Sequence, residues 1–138
     1  MSSLVGTYAK EAIAKGQLNW ETADIRVALS TGFVFDVDAD RYLSAMTNEC
    51  AGVSYSRKIL TGNSVVRVPG AVEMRADSTT WTGAYFGTPD VAVVYVYNAL
   101  DSLALIIGVL DQNNLPTNTG DYTLDWDGQV LSGKLFSI

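Results

Sequence analysis

Two strongly apolar runs of strand length place the tightest constraint on how this chain can fold. They are residues 91–97, Val-Ala-Val-Val-Tyr-Val-Tyr, and residues 103–110, Leu-Ala-Leu-Ile-Ile-Gly-Val-Leu. Neither approaches the roughly 18 apolar residues that a membrane-spanning helix needs. Because the apolar character is continuous rather than alternating, both faces of each strand need cover. The sequence therefore predicts a hairpin at the centre of the core, with Val94 and Ile106 among its buried side chains.

Shorter β-rich runs surround this pair and are separated by turn residues. Residues 25–29 alternate between large apolar and other side chains, a pattern typical of a strand with one buried face. Further strands are predicted at 54–60, 64–68, 72–76, 79–82, 122–126 and 130–136. The Asp127-Gly128 pair between the last two favours a hairpin. Many short strands at this spacing predict a mainly all-β fold, an antiparallel β-sandwich or barrel with one short N-terminal helix.

That helix is predicted at the start of the chain. Leu4, Tyr8 and Ala12 recur at the four-residue spacing of one helix face, and Gly16 follows as a suitable stop. A helix this short is marginal alone, so its apolar face needs cover from this domain or from a neighbouring subunit. We expect one domain over residues 1–138, in which residues 1–16 form a helical segment that can pack on a partner.

Composition argues against several classes of function. Nine Lys and Arg residues against fifteen Asp and Glu residues give a net charge of −6, which disfavours nucleic-acid binding. The chain has no histidine and a single cysteine, Cys50, so imidazole catalysis, imidazole metal sites and an internal disulfide are excluded. Cys50 is expected to be a small buried side chain. We therefore expect a protein that is not an enzyme and that needs no cofactor and no membrane.

An acidic segment imitates the opening of a calcium-binding loop. Asp36, Asp38 and Asp40 alternate as the first ligands of such a loop do. The sixth position is Arg41 rather than glycine and the twelfth is Thr47 rather than glutamate, so the tight turn and the bidentate ligand are missing. A solvated acidic loop is the preferred interpretation.

Two alternative functions rest on single residue types. Asp125 and Asp127 share a strand parity and could form the carboxylate pair of a small glycosidase, although turn chemistry explains Asp127 before Gly128 better. The tryptophans could be stacking platforms of a carbohydrate-binding module, although in a small β domain such residues more often fill the core. They are Trp20, Trp81 and Trp126.

One stretch of the chain is locally basic. Arg57, Lys58, Arg67 and Arg75 are accompanied by a single acid, Glu73. If these cations share a sheet face, they could meet an acidic partner surface, and a solvated strand face is the alternative. Together with Leu4 and Tyr8 of the N-terminal segment, they form the predicted partner interface.

Several blocks of the chain, taken in order, carry a resemblance. The blocks are residues 8–20, 24–30, 47–49 with 52–58, 75–77 with 80–81, 92–95 with 105–108, and 122–127. Over nearly its whole length the chain resembles small structural proteins of tailed bacteriophages. The resemblance implies a virion protein that is assembled in the bacterial host cytoplasm. Its expected role is that of a capsid cement or decoration protein, with a tail or head-fibre component as the alternative. Its implied partners are the major capsid protein and further copies of itself.

Overall fold

The computed structural model describes residues 3–111, 117–124, 126 and 133–138. The described part of the chain contains one α-helix, α1, and ten strands. Two short 3-10 turns lie at Leu43–Ala45 and Asp101–Leu103. In chain order the elements are β1 (Ser3–Val5), α1 (Thr7–Ala14), β2 (Ile25–Ser30), β3 (Lys58–Ile59), β4 (Ser64–Val68), β5 (Ala71–Arg75), β6 (Thr79–Trp81), β7 (Val91–Val96), β8 (Ile106–Asp111), β9 (Tyr122–Leu124) and β10 (Lys134–Ser137).

The strands form three antiparallel sheets. The largest has the order β1-β8-β7-β2-β3, and the smaller ones have the orders β10-β5-β4 and β6-β9. The protein is therefore mostly antiparallel β with one short N-terminal helix, which confirms the predicted fold class.

The two apolar runs form neighbouring strands inside the large sheet, as their composition predicts. β7 and β8 pair with each other inside the five-stranded sheet, and five of the six residues in each strand are buried. Val94 and Ile106 are both fully buried, but they point into different clusters on opposite faces of the sheet. Continuous apolar character thus reflects two covered faces, as predicted.

Different elements cover the two faces. On one face the core includes α1 and residues of both smaller sheets, among them Met74, Trp81 and Phe136. On the other face no second sheet lies among the described residues. Instead the segment after β2 packs there through Phe33, Phe35 and Leu43. The second apolar layer, on this face of the large sheet, is therefore formed by a long loop rather than by strands.

The N-terminal prediction is correct for the helix but wrong for its start. Leu4 lies in β1, opposite Val109 of β8, and its side chain is half exposed. Pairing with β8 gives hydrogen-bond partners to backbone groups that would have none in the first turn of a helix. The Gly6 N–H extends this pairing by donating to the Ile107 oxygen. Ala9 and Ala12 are buried in this domain's own core, and Gly16 follows the helix with a φ of +71°.

The predicted C-terminal hairpin is wrong for the described residues. β9 pairs with β6 and β10 pairs with β5, so the last two strands belong to different sheets. Asp125 and the Asp127-Gly128 turn lie outside the described residues. The pairing of β10 with β5 brings Phe136 into the main core with full burial, which a local hairpin would not require.

Strands β1 and β10 approach each other over β8 at Gly108. A Cβ atom at this position would collide with the Leu4 backbone oxygen and with the Phe136 ring. Glycine is required here by the close approach of its neighbours.

Candidate protein-binding surface

An open cleft of about 300 Å³ lies where α1, the segment before Leu43 and the β7–β8 connection meet. Its polar and aromatic lining comprises Tyr8, Glu11, Gln17, Arg41, Tyr42, Tyr97 and Asn98, and Leu103 and Leu105 contribute apolar walls. Of the six residues predicted as partner contacts, this cleft contains only Tyr8.

Backbone hydrogen bonds hold one wall of the cleft against the start of β8. Ile106 donates its N–H to the Arg41 oxygen at 2.9 Å, and Leu43 donates to the Ala104 oxygen at 2.8 Å. Between them, Tyr42 forms an isolated antiparallel bridge with Leu105. Arg41 and Tyr42 are therefore carried by a segment pinned to the central sheet, which fixes their backbone.

Arg41 lies close to two aromatic rings. Its guanidinium carbon is 5.0 Å from the ring centroid of Tyr8 and 5.0 Å from that of Tyr42, within the range of cation–π attraction. Arg41 is exposed, and among the described residues it forms no ion pair. Its N–H donors thus remain open to solvent or to a binding partner.

A second arginine extends the same surface and differs in its bonding. The Arg26 guanidinium lies 3.7 Å from the ring centroid of Tyr97 and bonds both carboxylate oxygens of Asp24 at 3.0 Å. Tyr97 is 44% exposed and Leu103 is 54% exposed. Tyrosine and arginine are enriched in protein–protein interfaces and their hot spots, so this cleft has the composition of a binding surface.

Acidic Glu11 also lines the cleft. Its carboxylate lies 3.8 Å from the Lys15 ammonium one helical turn later, and both side chains are about 60% exposed. Exposed pairs of this kind contribute little. Glu11 therefore remains a source of negative potential at the α1 side of the cleft.

The predicted basic stretch does not form one basic face. Arg57 is bonded at both ends of its guanidinium, to Glu49 at 2.8 Å and to Asp101 at 2.8–2.9 Å. The hydroxyl of Tyr55 donates to Glu49 at 2.6 Å. These bonds raise the pKa of Arg57 and hold the pKa of the Asp101 carboxyl below its usual range. Arg57 is a structural tie between two loops, not a free contact residue.

The other predicted cations are separated by strand geometry. Arg75 is bonded to Glu73, and Arg67 is exposed. Because Arg67 is opposite Val72 while Arg75 is opposite Ser64, Arg67 and Arg75 point to opposite faces of the β4–β5 hairpin. Lys58 lies in β3, at the edge of the large sheet. The condition that these cations share a sheet face is not met.

The tryptophans fill the core, as the preferred interpretation holds. Trp20, Trp81 and Trp126 are each at most 3% exposed. Their indole N–H groups donate to the backbone oxygens of Arg75, Ser56 and Asp77, at 2.7–2.9 Å. None of the three is available as a sugar-stacking platform, which removes the main motive for a carbohydrate-binding module.

The acidic segment bonds to its own backbone. Asp36 accepts from the N–H groups of Asp38 and Ala39 at 3.0 and 3.1 Å, and Asp40 accepts from the Asp36 N–H at 2.9 Å. Within the described ranges no group of three potential metal ligands is assembled. Cys50 is buried, as predicted, and burial raises the pKa of its thiol.

Comparisons with protein-family models, with curated proteins and with solved structures return no match. None of the helices in the described ranges has the length and apolarity needed to span a bilayer.

The sequence predicts Tyr8 as a partner contact but does not predict Arg41, Tyr97 or Leu103, which line the same cleft. By sequence, Arg41 is only a mismatch to a calcium-binding loop, and Tyr97 and Leu103 lie within predicted core strands. For Tyr97 and Leu103 the available signal is the segment 98–102 between the two apolar runs, which contains Asn98, Asp101 and Ser102 and places its two flanking residues at the ends of a connection. Arg41 has no comparable local signal.

Proposed function

We propose that this protein is a non-enzymatic virion structural protein, and specifically a capsid cement or decoration protein on the head of a tailed phage. The observation that carries the proposal is the exposed cleft lined by Tyr8, Tyr97 and Leu103 together with Arg41, which forms no ion pair among the described residues. Its composition suits docking on another protein. The resemblance of the ordered sequence blocks to tailed-phage structural proteins indicates that this partner is a virion protein.

The fold suits this role mechanically. The cleft is carried by a segment bonded to β8, and β8 lies in a sheet covered on both faces. A rigid surface loses little entropy on binding. Where many copies decorate one shell, modest contacts that engage together reach high avidity.

The largest pKa shifts among the described residues fit a structural role. Burial and, second to it, the hydrogen bond to Glu49 raise the pKa of Tyr55, whereas hydrogen bonds to Glu49 and Asp101 raise the pKa of Arg57. Glu49 joins the two side chains in one network that ties loops together. Structural ion-pair networks shift pKa values as active sites do. This network therefore gives no reason to prefer the glycosidase alternative.

Locating the chain in intact particles tests the proposal. Virions of the phage whose genome encodes the chain should contain it at many copies by mass spectrometry, and a reconstruction should place its density on the outer face of the head. Heads lacking it should recover that density when the purified protein is added.

Density at the tail or on a head fibre would instead establish the runner-up role within the virion. Absence of the chain from purified virions would overturn both assignments. A chain bound to the inside of the shell would overturn the decoration role alone.

A further inference from the structure

Arg41 lines the cleft and, among the described residues, its side chain forms no hydrogen bond or ion pair. Arg26 on the same surface is neutralised by Asp24, whereas Arg41 has aromatic neighbours and, among the described residues, no carboxylate partner. A guanidinium presents a planar set of N–H donors that matches a carboxylate through two parallel bonds. In a chain of net charge −6, such a surface cation offers charge complementarity to an acidic group on another molecule.

We infer that the cleft binds a carboxylate side chain of a partner protein, held by the Arg41 guanidinium between Tyr8 and Tyr42. A neighbouring apolar side chain of the partner packs against Leu103. The cleft holds about 300 Å³, room for one or two side chains rather than a whole helix. The identity of the partner as a virion protein rests on the proposed function, while the chemistry of recognition rests on the cleft itself.

Glu11 influences which ligand charge the cleft favours. Its carboxylate lines the same cleft and is only weakly engaged by Lys15. It repels an incoming carboxylate and would attract an incoming ammonium. Removing its charge with Glu11→Gln should therefore strengthen binding of an acidic ligand, and it would weaken binding of a basic one.

The test uses the full chain and three blocked peptides. Their sequences are acetyl-Ala-Leu-X-Phe-Ala-amide with X as Glu, Gln or Lys, and binding is followed by NMR titration of the backbone amides. The Glu peptide should bind about fivefold or more tightly than the Gln peptide, as one accessible charge-assisted contact allows, and the Lys peptide should bind weakest. Shifts should centre on residues 8, 41, 42, 97 and 103.

Variants tie the preference to Arg41. Arg41→Gln should remove the difference between the Glu and Gln peptides, and Arg41→Lys, which keeps the charge but loses the planar donor set, should retain part of it. Arg67→Gln is the matched control because it removes an exposed arginine outside the cleft, and it should leave the preference intact. Glu11→Gln should raise affinity for the Glu peptide about twofold.

Several results would overturn the inference. They are equal binding of the Glu and Gln peptides, tightest binding of the Lys peptide, shifts confined to another surface, and tighter binding of an oligogalacturonate, which would make the ligand an acidic sugar.

Failure of this inference can be told from failure of the proposed function. If the Glu preference depends on Arg41 but the chain is absent from virions, the recognition chemistry stands and the virion role falls. If Arg41→Gln loads onto heads as well as the unchanged protein does, the inference falls and the virion role stands.

Discussion

The two arginines Arg57 and Arg41 act near the same β7–β8 connection and behave in opposite ways. Arg57 is bonded to two carboxylates and ties Asp101 of that connection to Glu49. Arg41 lies at the cleft lined by Leu103, two residues further along, and has tyrosine rings for neighbours. The Arg57 guanidinium is bonded within the molecule, whereas Arg41 forms no ion pair among the described residues.

The difference shows that a cation's availability depends on the acids that the fold brings to it. Glu49 and Asp101 are distant from each other in sequence, and both reach Arg57. Arg41 directly follows Asp40, yet the Asp40 carboxylate is bonded to a backbone N–H within its own loop. Proximity along the chain would have predicted a paired Arg41, next to Asp40, and an unpaired Arg57.

Of the changes that compare Arg57 with Arg41, replacing Arg57 with Ala should cause the largest loss of stability. The change leaves two partly buried carboxylates without their shared counter-charge, and several charge-assisted hydrogen bonds are lost. The free energy of unfolding, measured by urea denaturation, should fall by about 2–3 kcal/mol. Arg67→Ala, at an exposed strand position, should change it by less than about 0.5 kcal/mol. Equal stability of the two variants would mean that Arg57 is not a structural tie.

Charge reversal at Arg57 would add a third carboxylate beside Glu49 and Asp101. Such a variant reports on folding rather than on partner binding. A binding test of the predicted basic stretch should therefore use Lys58 and Arg67 and leave Arg57 unchanged.

Lowering the pH should weaken the Arg57 tie by a smaller amount. The hydrogen bonds from Arg57 hold the pKa of Asp101 lower in the folded protein than in the unfolded chain. Its contribution is therefore complete above the unfolded value of about 3.9 and is lost as the pH falls through the folded value. Because the Asp101 side chain is 44% exposed, the contribution should be no more than about 1 kcal/mol.

Asp101→Asn isolates this effect. Below about pH 4 the stability curves of the variant and the unchanged protein should converge, whereas near pH 7 the variant should be less stable. Curves that stay parallel across this range would assign the acid sensitivity to other groups.

Replacing Arg41 with Ala should have the smallest effect on stability. The side chain is exposed, and its guanidinium carbon lies 5.0 Å from each ring centroid. The free energy of unfolding should therefore change by less than about 0.5 kcal/mol. Binding of the Glu peptide should nevertheless be weakened, and in the unchanged protein it should decline with added salt. A stability loss as large as that of Arg57→Ala would make Arg41 a structural residue and erase the contrast.

Local sequence pattern predicts much of this fold. Continuous apolar runs place β7 and β8 at the centre, and Ser64–Val68 agrees with its predicted strand residue for residue. Local pattern fails where partners are distant. Leu4 suits a helix face by spacing, but pairing with Val109 places it in an edge strand. Likewise, no local signal indicates that β10 pairs with β5.

The cleft is harder to predict for the same reason. Tyr8 could be identified from helix periodicity, but its neighbour Arg41 comes from a loop whose path is set by Phe33, Phe35 and Leu43 on the second apolar layer. Only that path brings the guanidinium to the Tyr8 ring.

The close approach at Gly108 bears on how the protein reaches this structure. Ser3 pairs with Leu110, and the first and last strands converge over β8 at one glycine. Closing so long a loop carries a large entropy cost before any contact is gained. Formation of the β7–β8 hairpin, which is local, should precede docking of both ends. We therefore expect β1 and β10 to join late in folding. In hydrogen exchange, β1, an edge strand with two exposed residues, should open before β7 and β8.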